Sequence, residues 1–384
     1  MANNNNKDKC NVPPLRFPEF TEEWKAEQLD NIATLSKGIG ISKEQLSEDG
    51  EPCILYGELY TKYKSEIIKQ VESKTDINGS KLKRSKANDV IIPCSGETAV
   101  DIATARCVPF DNILFGGDLN VISLHQYDGA FMSYQLNGKR KYDIARVAQG
   151  VSIVHLYGEH LKAIKTYNPT LPEQQKIAKL LSLLDDRIDT QNKIIEDLKK
   201  LKSAISERLF KSVKGFTVLL SDLCDIVKGK QINGENLSDS GNYYVMNGGT
   251  EPSGYYDNYN VEASTISISE GGNSCGYVQF NTSPFWSGGH CYSIQNIADK
   301  VDNMYLYHYL KSNEDAIMKL RIGSGLPNIQ KKDLAMFKII VPKIEWQIKI
   351  STFLSSLERK AEIEERIQNV MQKQKLYLLQ QMFI

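Results

Sequence analysis

The sequence predicts an α+β protein made as an internal repeat, with two strand-rich domains and two long amphipathic helices arranged with pseudo-twofold symmetry. Three observations carry this prediction. First, Leu161–Phe210 lies on Leu334–Phe383 after a shift of 173 positions without a gap. Leu161, Lys165, Pro169, Gln174, Lys176, Ile177, Leu181, Ser182, Leu184, Ile194, Lys200, Lys202 and Phe210 all meet their own kind. Second, the starts of the copies match, Leu29-Asp-Asn-Ile-Ala-Thr-Leu-Ser-Lys-Gly38 over Leu220-Ser-Asp-Leu-Cys-Asp-Ile-Val-Lys-Gly229. Third, the residues between these ends diverge almost completely. A shared frame holding two unlike inserts suggests one scaffold presenting two different readers.

Residues 1–14 are polar and end in Pro13-Pro14, which reads as a disordered lead. The first globular unit is expected over 15–170. Its short β-like runs are Cys53–Tyr56, Val90–Pro93, Ile113–Phe115 and Val121–Leu124. Pro169 and Pro172 mark the change from extended chain to a helix over 171–212. The second unit, 213–342, is richer in turns. Asn247-Gly-Gly, Ser253-Gly, Gly271-Gly-Asn and Gly288-Gly separate runs such as Thr265–Ser269 and Tyr277–Phe280. A second helix over 343–384 completes the chain.

Both helices carry a heptad seam. Ile177, Leu181, Leu184, Ile188, Gln191, Ile195, Leu198, Lys202, Ile205 and Leu209 step by four and three. Ile350, Leu354, Leu357, Ala361, Glu364, Gln368, Met371, Lys375, Leu378 and Met382 hold the same register with more polar members. Each helix would be roughly 50–60 Å long at 1.5 Å per residue. A lone helix of that length exposes its stripe, so each needs a partner. The nearest is the other helix of the same chain, running antiparallel as a coiled-coil spacer; pairing between separate chains is the alternative.

Bulk composition narrows the class. Lys+Arg and Asp+Glu balance at 47 each, so no global field announces a polyanionic partner, and any such contact must rest on local clusters. Cysteines at 10, 53, 94, 107, 224, 275 and 291 form no CxxC pair, which reads as reduced thiols without a disulfide frame or thiolate zinc site. The N-terminus lacks an apolar leader core and no run approaches a membrane span, so a cytoplasmic protein is expected.

Catalytic signals are weak. No Asn-Pro-Pro-Tyr-type segment and no Walker A loop occurs. His125, His155, His160, His290 and His308 have no metal-ligand spacing. Pro93-Cys-Ser-Gly-Glu97 brings a thiol and a hydroxyl together, but no general base is identifiable beside them.

The stretch Asn168-Pro-Thr-Leu-Pro-Glu-Gln-Gln-Lys-Ile-Ala-Lys-Leu-Leu-Ser-Leu-Leu-Asp-Asp-Arg-Ile188 resembles the P-x-x-x-E-Q-x-x-I-A-x-x-L-S-x-x-D segment of type I restriction-modification specificity subunits. The approaches to the helices are similar too, Gln149-Gly150 before Leu161–Ile164 and Gly323–Ile329 before Leu334–Phe337. The second copy departs from the pattern, with Trp346-Gln-Ile-Lys-Ile-Ser where the first has Glu173-Gln-Gln-Lys-Ile-Ala. The resemblance covers nearly the whole chain from Leu15. It implies a non-catalytic DNA-reading subunit with two target-recognition domains, each reading one half of a bipartite asymmetric site in double-stranded DNA. The helices would set the gap and dock two methyltransferase subunits, with restriction/translocase subunits as further partners. S-adenosylmethionine, ATP and Mg²⁺ would then belong to those partners, with no cofactor or metal held by this chain.

Local charge fits that role. Lys81, Lys83, Arg84 and Lys86 form one basic cluster, and Lys139, Arg140 and Lys141 another. Tyr60, Lys62, Tyr63 and Lys64 interleave aromatics with lysines. In the second copy Lys228, Lys230 and Arg321 are candidates, with Asn247, Tyr255 and Tyr256 beside them. Lys and Arg neutralise phosphates or contact guanine, and Asn pairs with adenine. A solvated surface is the plain alternative for any one cluster. For the chain as a whole, the alternative is a scaffold that binds proteins and dimerises through its helices.

Overall fold

The computed structural model describes residues 11–323 and 325–384. It falls into two compact units, one of residues up to 192 with 367–384, the other of 193–366. Four helices carry the frame: α1 (Gly129–Asn137), α2 (Leu171–Ser212), α3 (Asn303–Ser312) and α4 (Ile344–Gln381).

In the first unit β1 (Lys25–Gln28) pairs with β12 (Lys165–Asn168), joining the start of the domain to the segment that enters α2. The main sheet is antiparallel. It consists of β2 (Ala33–Lys37), β6 (Asp89–Pro93), β8 (Arg106–Val108) and β10 (Leu119–Leu124), in the order β2-β10-β6-β8. A smaller sheet holds β3 (Glu51–Ile54), β4 (Lys74–Thr75), β5 (Lys83–Arg84) and β9 (Leu114–Phe115), in the order β4-β3-β9-β5 with β3 and β9 parallel. A two-stranded ribbon of β7 (Ser95–Gly96) and β11 (Val154–His155) closes one end.

The second unit repeats this plan. β13 (Phe216–Leu219) pairs with β21 (Lys338–Val341). β14 (Asp225–Lys228), β17 (Thr265–Ser269), β18 (Val278–Asn281) and β20 (Cys291–Gln295) form the main sheet in the order β14-β20-β17-β18. β15 (Tyr243–Met246), β16 (Tyr255–Tyr256) and β19 (Trp286–Ser287) form the small sheet, again with one parallel pair, β15 and β19. The inserts that diverge in sequence therefore share a topology, and their difference lies in loops and side chains.

The repeated residues of the helix segment have visible tasks. Asp128 caps α1 by accepting from Phe131 N at 2.7 Å, and Asp302 caps α3 by accepting from Tyr305 N at 2.7 Å. Gln174 receives the Asp128 amide on its side-chain oxygen at 2.9 Å and donates to the Pro169 carbonyl at 2.8 Å. Gln347 does the same with Asp302 and Pro342, at 2.9 Å each. One buried glutamine thus ties the start of each long helix to the cap of the domain helix.

Within each unit segments of α2 and α4 pack antiparallel. In the first, Lys375 bonds Asp185 at 2.7 Å and Glu66 at 2.6 Å, and Gln368 donates to Asn192. In the second, Lys202 bonds Glu358 and Lys199 bonds Glu365 at 2.6 Å. Ile177, Leu181, Leu184, Ile195, Ile350 and Leu354 are buried, while Ile188, Leu198, Leu357 and Met371 are half-buried. Phe383 sits in a cluster with Trp24 and Phe131, its ring 5.2 Å from Phe131. Phe210 occupies the matching place in the second unit, 5.8 Å from Tyr305 and 5.2 Å from Tyr309.

Of the lead expected over 1–14, residues 1–10 lie outside the described residues. Pro13 is buried, and the Asn11 carbonyl accepts from Trp24 N at 2.9 Å. The following segment binds the start of α2: Arg16 grips Glu173 with two bonds of 2.7 Å, and Trp24 Nε1 donates to the same carboxylate at 3.3 Å. Glu173 is 1% exposed, whereas Trp346, its counterpart in the second copy, is 59% exposed. The sequence departure at Trp346 thus coincides with the loss of this clamp. Six cysteines, 53, 94, 107, 224, 275 and 291, are buried and unpaired; Cys10 lies outside the described residues.

His308 on α3 is buried, with Nε2 2.9 Å from Ser355 Oγ. Burial holds its pKa down to about 4 from the ordinary 6.5, against the opposing pull of Glu358. The folded state therefore keeps the ring neutral where the unfolded chain protonates it. Stability is full above about pH 6.5 and is lost as pH falls toward 4, by up to about 3 kcal/mol. Calorimetry across pH 4–7 should show the second unit weakening over that window, and His308→Gln should flatten that part of the profile.

Candidate nucleic-acid interface

At one end of each main sheet the chain must turn in very little space. Gly38, just past β2, lies so close to the next loop that a Cβ would stand 1.9 Å from the Gly116 carbonyl oxygen. Gly229, just past β14, would place a Cβ 2.1 Å from the Gly288 carbonyl oxygen. The Lys-Gly pair repeated in sequence is therefore a packing requirement, and it delivers Lys37 and Lys228 to equivalent sheet ends. The following residues are latched by Ile39 N to Phe115 O at 3.0 Å and Lys230 N to Ser287 O at 2.8 Å.

In the first unit this end gathers residues from four segments. Lys37 reaches over the Tyr157 ring at 5.8 Å. Tyr157 stacks on His155 and meets His160 edge-on. His155 lies opposite Ser95 in the β7–β11 ribbon, and Tyr60 donates its hydroxyl to the Ser95 carbonyl at 3.0 Å. Exposed Ile39, Val151 and Ile153 flank this basic and aromatic surface.

In the second unit the equivalent end brings together Lys228, Lys230, Gln231, Asn247 and His290. Asn247 Oδ1 accepts from His290 N at 3.0 Å. Lys228 bonds Glu270 at 2.7 Å. The Lys230 carbonyl accepts from Trp286 Nε1 at 2.9 Å, and Tyr256 meets the Trp286 ring edge-on at 5.1 Å. Tyr255 and Tyr256 are half-buried in β16, and Arg321 is exposed before the loop that returns to Ile329.

The remaining sequence candidates lie elsewhere. Lys62 bonds Glu58 at 2.8 Å and Ser73 at 2.7 Å, Lys64 is exposed, and Tyr63 is buried in the domain core. Arg84 is held by Glu51 through bonds of 2.6 and 3.0 Å. Lys83 and Lys86 line a groove of about 480 Å³ beside the edge strand β2, with Ser36, Ser123 and His125, while Lys81 is exposed on a turn. Arg140 donates to the Ile384 carbonyl at 3.0 Å and bonds Asp143 at 3.1 Å, so it ties down the end of α4. Lys141 is half-buried, its pKa lowered by burial, and Lys139 is exposed. Lys37, Tyr157 and Gln231 were not singled out in the sequence, and His155 and His290 were considered only as metal ligands. The repeated Lys-Gly pair was the signal that could have found Lys37.

Among the described residues no group of His, Cys, Asp and Glu could hold a metal ion, and no helix is long and apolar enough to cross a membrane.

Two copies of one α+β domain, each tied to a long helix and each showing a different polar surface at the same sheet end, define a repeated recognition scaffold. The chain belongs to the type I restriction modification DNA specificity domain family, which it matches over residues 21–200 and again over 215–373. It is 34% identical over 122 residues to a putative type I specificity subunit of Mycoplasma genitalium and 32% identical over 145 residues to one of Mycoplasma pneumoniae. Those alignments span only 31% and 38% of the relatives' lengths. A specificity subunit of the type I restriction enzyme MjaVIII from Methanocaldococcus jannaschii is 24% identical over 94% of this chain and 91% of its own. The fold resembles the crystal structure of a type I restriction-modification S subunit from M. genitalium, with TM-score 0.69, 19% identity and coverage of 97% and 99%.

Gly38→Ala and Gly229→Ala each force two backbone segments apart. Each should cost its own unit about 1–3 kcal/mol and speed amide exchange at Ile39 or Lys230 respectively, read by hydrogen-exchange mass spectrometry.

Proposed function

We propose that this chain is the sequence-reading subunit of a type I restriction-modification complex, each domain reading one half of a bipartite asymmetric DNA site. The observation that carries the reading is the family domain present twice, with unlike side chains at one equivalent sheet end. In the first domain that end offers Lys37, His155 and Tyr157; in the second it offers Lys228, Lys230, Gln231, Asn247 and His290. Lysines suit phosphates, and Asn, Gln and His suit base edges. Different readers on one frame favour an asymmetric site.

The long helices set the unread gap in this reading. A 42-residue helix such as α2 is roughly 60 Å long, more than one turn of B-DNA at about 34–36 Å. Their exposed flanks supply docking surface for two methyltransferase subunits. Leu180, Leu183, Ile367, Val370 and Tyr377 stand exposed in the first unit, and Ile194, Leu201, Trp346, Phe353 and Ile363 in the second. One solved relative is described as part of a study of type I complex assembly, with TM-score 0.58 and 16% identity. The subunit is non-catalytic in this reading and works in the cytoplasm. S-adenosylmethionine then belongs to the methyltransferase partners, and ATP and Mg²⁺ to restriction/translocase partners.

Selection of bound duplexes from a random pool by the complex with its methyltransferase tests the reading. Recovery of one gapped motif supports it, and indifference to DNA with concentration-dependent dimerisation favours the protein-binding scaffold. Lys37→Ala and Lys230→Ala should each weaken binding to all duplexes and reduce the slope of log K against log salt by about one. An unchanged slope in both variants removes these lysines from the interface.

A further inference from the structure

Glu270 follows β17 at the sheet end of the second domain and is 7% exposed. Its Oε1 accepts from Lys228 Nζ at 2.7 Å and lies 3.0 Å from the Tyr292 hydroxyl, whose one proton it shares with the Ile329 carbonyl. Its Oε2 has no hydrogen-bond partner among the described residues, although it is buried. A buried carboxylate oxygen without a donor is a standing cost to a fold and calls for a reason.

The surroundings supply one. The cover over this carboxylate is Lys228, whose side chain is 54% exposed. Four loops converge here: Glu270 N donates to His290 O at 2.8 Å, Gly272 N to Pro327 O at 3.0 Å, Gly229 N to Cys291 O at 2.8 Å, and Gly288 N to Met246 O at 2.8 Å. Gly272, at φ +80°, has open space where a side chain would stand.

The first domain has the same backbone with a different side chain. Leu156 N donates to Cys94 O at 2.8 Å, as Ile329 N donates to Glu270 O at 2.8 Å. Asn120 lies opposite Lys37 and donates to Leu156 O at 2.9 Å; Tyr292 lies opposite Lys228 with its hydroxyl 3.0 Å from Ile329 O. Cys94 therefore stands where Glu270 stands. Burial pushes its thiol up to about 11, so it is uncharged at neutral pH.

We propose that Glu270 is a specificity-determining residue of the second domain, its Oε2 accepting a hydrogen bond from the exocyclic amino group of a cytosine or an adenine when Lys228 moves to a neighbouring phosphate. The inference rests on the DNA-reading role above. A carboxylate only accepts, and the donors on the major-groove edges are cytosine N4 and adenine N6. The acceptor atoms of guanine and thymine are repelled. The first domain, with Cys94 at this place, carries no such selection.

The test uses the full chain with its methyltransferase partner and duplexes carrying the selected site. Each cytosine of the second half is replaced by pyrimidin-2-one and each adenine by purine, which removes the amino group alone. One position should lose affinity about tenfold or more in the wild type and change by less than about twofold in Glu270→Met. Which analogue causes the loss identifies the base. A loss that persists in Glu270→Met overturns the assignment. So does a wild-type complex indifferent at every second-half position, a result that needs no variant to fold. A wild-type complex without any sequence preference sinks the DNA-reading role itself, and this assignment with it.

Discussion

A half-buried lysine bonded across the helix pair recurs once in each unit. Lys375 of α4 meets Asp185 of α2, and Lys202 of α2 meets Glu358 of α4. The shift of 173 that aligns the copies carries one contact onto the other. A tyrosine of the domain helix completes each: Tyr134 donates to Asp185 at 2.7 Å and Tyr307 to Glu358 at 3.2 Å. An apolar heptad seam tolerates a slip of one heptad, because leucine fits leucine. A slip here would leave the buried Asp185 carboxylate without its cation in the first unit, at about 3–5 kcal/mol, and would break the more exposed Lys202–Glu358 pair in the second at a smaller cost. Buried ion pairs add little to net stability, but they specify register well. The same tyrosines fix each domain to that register. If helix length is the ruler of the gap, these contacts hold the ruler in place.

The rest of each unit follows from that fixture. Gln174 and Gln347 tie the helix starts to the caps of α1 and α3, while Phe383 and Phe210 bury the helix ends in the domain clusters. Each sheet is anchored at its helix side and free at the end where Lys37 or Lys228 emerges. The glycines beside these lysines press loop on loop, so the exposed side chains there stand on a tightly packed backbone. Under the proposed reading, variation in those side chains would alter what is read without disturbing what holds the domain together.

The sequence made the frame legible because its signals are periodic or repeated. The seam from Ile177 to Leu209 shows in a step of four and three, and the strand at Thr265–Ser269 in its β-branched alternation. What Gln174 does was invisible, since its partners at Asp128 and Pro169 are fixed by the turn into the helix. The surface was legible only in part. Lys228, Lys230 and Asn247 converge as a sequence-based guess would wish. Arg84 and Arg140 sit in equally basic clusters, yet Glu51 holds the first, and Asp143 with the chain end holds the second. Clustering along the chain reports charge density and not which face a side chain serves. The equivalence of Cys94 and Glu270 could not be found without strand register, because the inserts share no alignable residues there.

The most direct test of the two-reader account is sequencing of methylated bases in cells that express this chain with its methyltransferase. The account predicts a single asymmetric motif, two short specified halves separated by a gap of fixed length. A continuous motif, a symmetric one, or no new mark from an assembled complex would contradict it.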